Sequence, residues 1–315
     1  MKRVIRSIIL FLCITTAVQA QYDAQFSQYF MAMGYYNPAY AGTRGDLNLL
    51  GIHRQQWVGI EGAPKSFFVS ADMPLKLGTT DHGVGMILFT ESIGLFQNTH
   101  VAGQYAYKNK LFGGTLSIGL QLGIVNQSFD GVNARPSGND ATNQVEDPAI
   151  PNTLVSAVGF DINAGIYYTR KNFYFGVGAM HVTEPELMLQ ENVYTYIAGS
   201  YNLVSGYNIQ LKNPLYELQP SVFLKSDTRT FQADVTGRVV YNKMFNGGLS
   251  WRVNESIIFL LGATFGNIQV GYAYDFPTTP ILKGSHGSHE LMVTYKMKLK
   301  KTKTGKNKHK SVRIL

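Results

Sequence analysis

The sequence predicts an all-β fold, a transmembrane antiparallel β-barrel of about 14 strands with both termini in the periplasm. Apolar and polar residues alternate over repeated segments of about ten residues, and this is the pattern of a strand that crosses a membrane in a barrel. Two such segments have apolar faces at Leu116, Ile118, Leu120, Leu122 and Ile124, and at Phe231, Ala233, Val235, Gly237, Val239 and Tyr241. A soluble β-sandwich could alternate in the same way. The strand length, the aromatic content of 12% and an export signal favour the barrel.

Residues 1–20 resemble a secretory signal peptide. Three basic residues precede an apolar core, Ile8 to Val18, which is too short to span a bilayer as a helix. We expect cleavage after Ala20. The only cysteine of the chain is Cys13, and bulky residues before it argue against a lipoprotein. The mature chain therefore has no disulfide and no cysteine-based metal or catalytic site.

Residues 21–45 form an aromatic N-terminal segment, which carries too many rings for a free linker. We expect it to pack into the lumen, to lie along the periplasmic rim, or to dock a partner. The candidate partner-binding residues in it are Phe26, Tyr29, Tyr36, Asn37 and Pro38.

The barrel is predicted over residues 46–297. Its strands are expected near 46–57, 66–73, 82–91, 96–107, 113–126, 156–168, 172–181, 192–203, 215–225, 229–241, 245–253, 256–263, 266–276 and 287–297. The connections at 108–110, 169–172 and 242–243 are short and basic, whereas 127–155 is long and rich in Asn, Asp, Gly and Pro. Because outer-membrane barrels have short periplasmic turns and longer outer loops, this alternation places the termini in the periplasm. The connection 204–214 is long for a periplasmic turn.

The alternation also assigns side chains to the two faces of the wall. Leu120 and Val235 should face lipid, whereas Gln121 and Thr236 should face the lumen. Charged residues on the polar faces should satisfy one another as a lumen network, with acids paired to Arg54, Arg170 or Arg238. The candidates for this network are Arg54, Asp72, Asp161, Asp234, Arg238 and Asp275. The tyrosines expected in the lipid–water girdles are Tyr105, Tyr107, Tyr167, Tyr168, Tyr272 and Tyr274.

The positive charge of the chain belongs to its C-terminal end. The formal net charge is +8, but Lys296–Leu315 holds nine basic residues and no acidic one, and residues 21–295 carry a net −4. We interpret 298–315 as a basic periplasmic tail, disordered when alone. A solvated end and a nucleic-acid-binding run are the other interpretations, and export argues against nucleic acid. The partner-binding candidates in the tail are Lys300, Lys301, Lys303, Lys306, Lys308, Lys310 and Arg313.

No enzymatic motif stands out in the sequence. It has neither a His-Glu-x-x-His pair nor a Gly-x-Ser-x-Gly elbow. The densest polar cluster, 285–290, could suggest a metal or acid–base site, but its place at the start of the last strand favours a structural role. Strand glycines such as Gly83 and Gly178 do not open a helix, so close packing explains them better than a phosphate loop. We therefore predict no catalytic, metal or cofactor-binding residue.

Short motifs at both ends of the chain resemble the PorP/SprF family of type IX secretion. They are QFSQY at 25–29, YNPAYAG at 36–42, HRQQW at 53–57, GAPKS at 62–66, GYAYD at 271–275 and GSHE at 287–290. The resemblance covers essentially the whole mature chain. It implies an outer-membrane barrel of Bacteroidota that works in type IX protein secretion and, in gliding relatives, with surface adhesins. The implied partners are outer-membrane lipid, a PorE-like peptidoglycan-binding lipoprotein, the PorK/PorN ring and secreted cargo proteins. Many barrels end on an aromatic residue, whereas this chain continues past Met297.

These observations favour a non-enzymatic component of the secretion system that anchors or couples periplasmic partners and supports export or surface attachment of cargo. Two rivals come from other classes. A barrel of about 14 strands is wide enough to need a plug or to conduct, so a channel or transporter for small solutes is the main alternative. An outer-membrane hydrolase is the other, although no triad can be assembled from the sequence.

Overall fold

Fourteen long antiparallel strands close into a barrel in the computed structural model, which describes residues 23–134, 151–191 and 193–299. Predictions for the signal peptide, for the middle of the 127–155 loop and for Lys300 to Arg313 fall outside these residues. The strands are β1 Leu47–Gln55, β2 Lys65–Leu77, β3 Thr80–Ile93, β4 Phe96–Leu111, β5 Gly114–Asp130, β6 Leu154–Arg170, β7 Phe173–Met180, β8 Glu186–Gln190, β9 Val193–Tyr196, β10 Ser200–Tyr207, β11 Ile209–Gln210, β12 Tyr216–Ser226, β13 Phe231–Tyr241, β14 Phe245–Arg252, β15 Ser256–Phe265, β16 Ile268–Pro277 and β17 Ser288–Met297. Of these strands, β8, β9 and β11 do not belong to the closed wall of the barrel.

The wall follows the chain order from strand to strand. It passes from β7 directly to β10 and from β10 to β12, and it closes where β1 pairs with β17, with Leu47 opposite Met297 and Gln55 opposite His289. Closure leaves no free sheet edge among the fourteen described barrel strands. The low-dielectric interior of a membrane requires this, because backbone groups without a partner are costly there. The expected all-β barrel of about 14 strands is confirmed.

The expected strand at 192–203 is wrong. β8 and β9 pair as a hairpin that is not part of the wall, and the barrel strand is β10, which starts at Ser200. The alternation of apolar and polar residues is similar in β9 and β10, so it cannot distinguish a strand of this hairpin from a strand of the barrel. The following turn consequently begins only at residue 208, and part of it pairs with β12 through β11.

The two faces of the wall agree with the predicted register. Leu120 and Val235 are 45% and 47% exposed, whereas Gln121 and Thr236 are buried inside. Of the girdle tyrosines, Tyr105, Tyr107 and Tyr272 face outward. Tyr167 is an exception, because it is 4% exposed and faces the lumen. Neighbouring residues of a strand face opposite sides, so Tyr167 and Tyr168 could not both belong to the girdle.

The connections differ in length between the two ends of the barrel. The end that holds Leu47 and Met297 has two- or three-residue turns at 78–79, 112–113, 171–172, 242–244 and 266–267. The remaining connection at that end, 208–215, is longer and contains β11. Connections at the opposite end range from two or three residues, at 94–95 and 253–255, to the long connections 56–64, 181–199 and 278–287. Since the short turns of such barrels are periplasmic, the wall begins and ends on the periplasmic side.

Helical structure in the described residues is limited to α1, Met33–Tyr36, and to single 3₁₀ turns at Pro38–Tyr40 and Pro280–Lys283. None of these helices is long and apolar enough to cross a membrane.

The hydrophobic core lies inside the barrel. Rings of the N-terminal segment pack there against inward-facing apolar side chains such as Phe68, Phe89 and Phe223. The lumen is therefore a packed core built from the N-terminal segment and the inner face of the wall.

Candidate functional site: the lumen plug and its anchors

Residues 23–44, hereafter the plug, occupy the lumen as a chain of tight turns. Met31 and Ala32 donate backbone N–H groups to the Gln28 carbonyl, and α1 follows. Asn37 then caps the next turn, because its side-chain oxygen accepts the Ala39 N–H at 2.9 Å. Pro38 at the first position of that turn has the φ angle and the missing donor that suit a helix start. Turn and cap residues thus let the plug satisfy its own backbone inside the barrel.

Aromatic rings fix the middle of the plug to the wall. Phe26 lies 5.6 Å from the Phe68 ring, and Tyr29 stacks on Phe223 at 5.0 Å between ring centroids. Tyr36 approaches Phe223 from another side at 4.6 Å. The Tyr29 hydroxyl donates to Thr236 Oγ1 at 2.9 Å. Each ring therefore buries a large apolar area, and the hydroxyl groups of Tyr29 and Tyr36 keep hydrogen-bond partners.

A buried chain of ion pairs runs from strand to strand on the inner face of the wall, beside these rings. Arg54 Nη2 lies 2.7 Å from Asp275 Oδ2, and Arg54 Nη1 lies 3.4 Å from Glu290 Oε2. Arg252 joins the same Asp275 oxygen at 3.2 Å and pairs with Asp234 at 3.0 Å. The side chains of all five are at most 3% exposed. Charges at such depth are stable only when each keeps its partners.

The plug completes this network. Glu290 accepts the backbone N–H groups of Ser27 and Gln28 at 2.7 and 2.8 Å, one on each carboxylate oxygen. The Ser27 hydroxyl donates to Asp275 at 2.6 Å and accepts from Arg54 Nη1 at 2.6 Å. A turn of the plug and a carboxylate of the last strand thus satisfy each other.

The first described residue of the plug, Asp23, lies at the extracellular end of the lumen. Its carboxylate lies 3.0 Å from His181 Nε2 and accepts a hydrogen bond from Ser200 Oγ. Lys225 Nζ donates to its backbone carbonyl at 2.7 Å. His181 Nδ1 lies 3.0 Å from Asp161, so this imidazole connects plug and wall.

The charge state of His181 follows from these neighbours. Burial by itself lowers the pKa of the imidazole, but the carboxylates of Asp23 and Asp161 outweigh burial and raise it to about 10. At neutral pH the ring is therefore a cation between two acids.

The other end of the plug is fixed at the periplasmic side. The Gly42 N–H donates to Asp72 at 2.7 Å, and Lys108 Nζ donates to the Thr43 hydroxyl at 2.9 Å. Arg44 donates to the Tyr40 hydroxyl at 2.9 Å. The plug therefore runs from the extracellular end to the periplasmic end and has wall contacts at three levels.

Strand glycines provide the room that the plug backbone needs. At Gly119 a Cβ atom would collide with the backbone of Ala39, and at Gly83 it would collide with the Ala41 carbonyl. At Gly178 it would collide with the Tyr36 carbonyl. These glycines therefore serve the close approach of the plug, which the sequence had indicated only as close strand packing.

The structure brings together some of the predicted lumen residues and rearranges the others. Arg54 and Asp275 pair as expected. Asp234, Asp161 and Asp72 instead meet Arg252, two histidines and a backbone N–H. Arg238 lies 3.4 Å above the Phe30 ring and donates to Gln219 at 2.7 Å. Arg170 is exposed at the periplasmic end and joins none of the predicted acids, so its pairing was wrong.

Several network members were missed in the sequence, although a signal existed for some. Arg252, Glu290 and Lys225 occupy inward positions of their strands, which period two would have identified. His181 and Asp23 lie outside strands, so no pattern could place them. His100 Nε2 lies 3.2 Å from Asp161 and completes the outer cluster.

The partner-binding candidates of the N-terminal segment lie inside the lumen and not on an exposed surface. Phe26, Tyr29, Tyr36 and Asn37 are at most 1% exposed, and Pro38 is buried with them. The rings contact the wall of the barrel. They therefore lie in the lumen, where their apolar surface is removed from water, and not on a surface open to a partner. The lysines and arginine of the tail lie outside the described residues.

The 285–290 cluster has structural contacts in this fold. Ser285 Oγ accepts the Gly287 N–H at 3.0 Å, Glu290 holds the plug, and His289 meets Tyr272 at 2.6 Å on the outer face. Among the residues that the structure describes, no group of three His, Cys, Asp or Glu side chains is arranged to hold a metal ion.

Comparisons with known proteins give a family and a set of barrels. A family model described as "Type IX secretion system membrane protein PorP/SprF" matches residues 18–295. Similar solved structures include the Ralstonia pickettii toluene transporter TbuX, at 12% identity, with 85% of this chain and 94% of that chain covered and a TM-score of 0.49. The P. putida toluene transporter TodX follows at 11% identity, 84% and 92% coverage and a TM-score of 0.45. A Pseudomonas aeruginosa FadL homologue has 10% identity, 79% and 89% coverage and a TM-score of 0.43. No curated protein matches the sequence.

Proposed function

Because the chain belongs to the PorP/SprF family of type IX secretion system membrane proteins, we propose that it is a closed, non-enzymatic outer-membrane anchor of that system. In this role the barrel holds the protein in the outer membrane of a Bacteroidota cell after removal of its signal peptide. Its periplasmic side couples to secretion components, namely a PorE-like peptidoglycan-binding lipoprotein and the PorK/PorN ring, and so supports export or surface attachment of cargo. Neither hydrolysis nor a cofactor is needed for this role.

The plug carries this proposal. The plug is held at three levels of the lumen by ion pairs, ring contacts and backbone hydrogen bonds. These contacts fill the lumen and fix the plug to the wall. A channel or transporter would first have to break these contacts, several of which are buried and charged. An anchor uses the same contacts permanently, because they stiffen the wall on which its partners pull.

The charge distribution supports coupling on the periplasmic side. Exposed lysines Lys110, Lys171 and Lys243 lie on or beside periplasmic turns, whereas exposed glutamates Glu184 and Glu186 lie at the extracellular end. β17 ends at the same periplasmic rim, where Lys296 and Lys298 are also exposed. These lysines suit acidic partners, with an attraction that is screened over about 8 Å at physiological salt. The basic tail follows β17 in the sequence.

Recovery of periplasmic partners from detergent-solubilised outer membranes tests the proposal. Deletion of 299–315 should leave barrel insertion intact and should reduce partner recovery, most clearly as salt rises through the range where the full chain still holds. A full-length variant with the seven basic tail candidates Lys300, Lys301, Lys303, Lys306, Lys308, Lys310 and Arg313 changed to glutamine is the matched control for length. Loss in both variants identifies charge as the cause. Equal recovery from all three proteins at every salt concentration would contradict the role of the tail, and absence of secretion components from the full-length sample would contradict the anchor.

A further inference from the structure

The closing seam between β1 and β17 carries a row of polar side chains on its outer face, at the extracellular end. Gln55 of β1 lies opposite Lys65 of β2 and opposite His289 of β17. Tyr274 of β16 continues the row, opposite His289. These side chains belong to the outward faces of their strands. Since neighbouring strands lie about 4.8 Å apart, the row is about 14 Å long, which is more than a single phosphate would need.

Hydrogen bonds fix the rings of this row. The Tyr272 hydroxyl lies 2.6 Å from His289 Nδ1, and the Tyr274 hydroxyl donates to the His286 carbonyl at 3.0 Å. With the Tyr272 hydroxyl as donor, a neutral imidazole carries its proton on Nε2. Within the described part of the chain, no residue accepts a hydrogen bond from His289 Nε2. The row therefore presents a positioned donor before any ligand binds.

Lys65 adds a positive charge to the end of the row. Its side chain is exposed and forms no ion pair with an acid among the residues that the structure describes. A lone lysine at this level would need no ligand, because its ammonium group can reach water beside the headgroups. In a row with an amide, an imidazole and a phenol, the same charge suits a phosphate whose neighbouring groups are hydroxyls.

Below the row, the outward face is apolar and has a shallow groove. Gly51 lies opposite Val69 of β2 and opposite Val293 of β17. A Cβ atom at Gly51 would meet no other atom within 4 Å, so the missing side chain leaves a depression between the two valines. Because this face of the barrel is turned toward lipid, the depression suits a hydrocarbon chain.

The upper border of the row is also fixed. Connections 56–64 and 278–287 meet above the seam, where the Val58 N–H donates to the Gly287 carbonyl at 2.8 Å. In return the His286 N–H donates to the Val58 carbonyl at 2.7 Å. The polar row thus lies between a hydrogen-bonded rim and the lipid-facing band, at the level where outer-leaflet headgroups lie.

We propose that this outer face of the seam binds a phosphorylated glycolipid of the outer leaflet. The phosphate contacts Lys65, and sugar hydroxyls contact Gln55 and His289. An acyl chain lies over Gly51. Headgroup and hydrocarbon then follow the same order as the polar row and the groove, and a basic group on the lipid side attracts an anionic headgroup. The site is separate from the periplasmic surface proposed above and does not depend on it.

Lipid retention by the purified protein tests the proposal. The protein is placed in phosphatidylcholine nanodiscs with a small fraction of either monophosphoryl lipid A, a phosphorylated glycolipid, or phosphatidylglycerol, which has a phosphate but no sugar. Native mass spectrometry then counts the probe lipids that stay bound. The original protein should retain lipid A several-fold more than phosphatidylglycerol. Equal retention of the two lipids would overturn the glycolipid site.

Lys65→Met removes the charge of the row, and Lys76→Met, at the periplasmic end of the same strand, is the matched control. Retention of lipid A should fall several-fold in Lys65→Met and should not change in Lys76→Met. Migration of unheated samples in gel electrophoresis shows that each variant is folded. Retention that stays the same in Lys65→Met, or falls equally in both variants, would overturn the proposal. Millimolar inorganic phosphate should not displace lipid A, and displacement would also overturn it, because the row would then bind free phosphate.

The groove is tested with Gly51→Leu, which fills it. Gly237→Leu is the matched control, because a Cβ atom at this lipid-facing glycine of β13 also meets no atom within 4 Å. Only Gly51→Leu should lower the retention of lipid A. Equal retention in the two variants would overturn the placement of the acyl chain at the seam.

Discussion

Single residues decide how firmly the plug is held, and Glu290 is the clearest case. Its two carboxylate oxygens accept two plug N–H groups, and its charge balances Arg54. Sequence reasoning could place such a residue on the inner face of β17, because alternation fixes the face. It could not predict the partner, since Ser27 is 263 positions away and contacts at that distance depend on closure of the whole barrel.

Glu290→Gln should therefore destabilise the plug. The new amide presents donors to a backbone N–H and leaves Arg54 with Asp275 alone, so we expect a loss of about 3–5 kcal/mol in the free energy of unfolding. Urea unfolding of the barrel in lipid vesicles measures this loss. Glu61→Gln, an exposed change in the 56–64 connection, should have no measurable effect. An unfolding free energy equal to that of the original protein would show that the network does not hold the plug.

His181 makes the outer anchor dependent on pH. Its pKa is raised from 6.5 to about 10 in the folded protein, so the stabilisation is fully present below pH 6.5, declines as pH rises, and is lost above about pH 10. The difference in thermal midpoint between the original protein and His181→Gln should follow the same course. A difference that grows with pH would contradict a protonated His181 between Asp23 and Asp161.

At the scale of elements, the strands were predictable and the plug was only partly so. The alternation located the barrel strands because each of them has one face toward lipid and one face toward the lumen. It failed at 192–203, where a hairpin with a similar period lies beside β10. The plug has no period, and its rings indicated burial without indicating where. The matching signal lay in the strand glycines, whose missing side chains make sense only when the plug backbone approaches them.

Gly119→Val should therefore displace the plug while the barrel still forms. The new side chain would occupy the place of Ala39, and an overpacked contact of this kind costs about 1–3 kcal/mol. Limited proteolysis of the purified, folded barrel should then cleave within 23–44, where the original protein resists. Gly103→Val is the matched control, because a Cβ there meets no atom within 4 Å. Resistance of both variants would mean that the plug does not depend on the glycine.

At the scale of the whole molecule, the N- and C-terminal parts of the sequence form one closed unit. Ser27 and Gln28 of the plug meet the last strand through Glu290, and β1 pairs with β17. Since the plug contacts strands on different sides of the wall, it links strands that do not pair with one another, such as β2, β13 and β17. This property suits an anchor, and the sequence alone could not reveal it, because composition and alternation describe the wall but not the contents of the lumen.

Conductance in planar lipid bilayers tests the central claim, that the plug closes the barrel, most directly. The full-length protein should show no stable open pore, because the lumen is packed from the outer cluster at Asp23 to the contact of Gly42 with Asp72. Removal of residues 23–44 should open a pore, since a barrel of this size is otherwise too wide for its wall side chains to fill, and Gly119→Val should give intermittent openings. A stable open pore formed by the full-length protein, equal to that of the deleted form, would contradict the closed anchor and favour a channel.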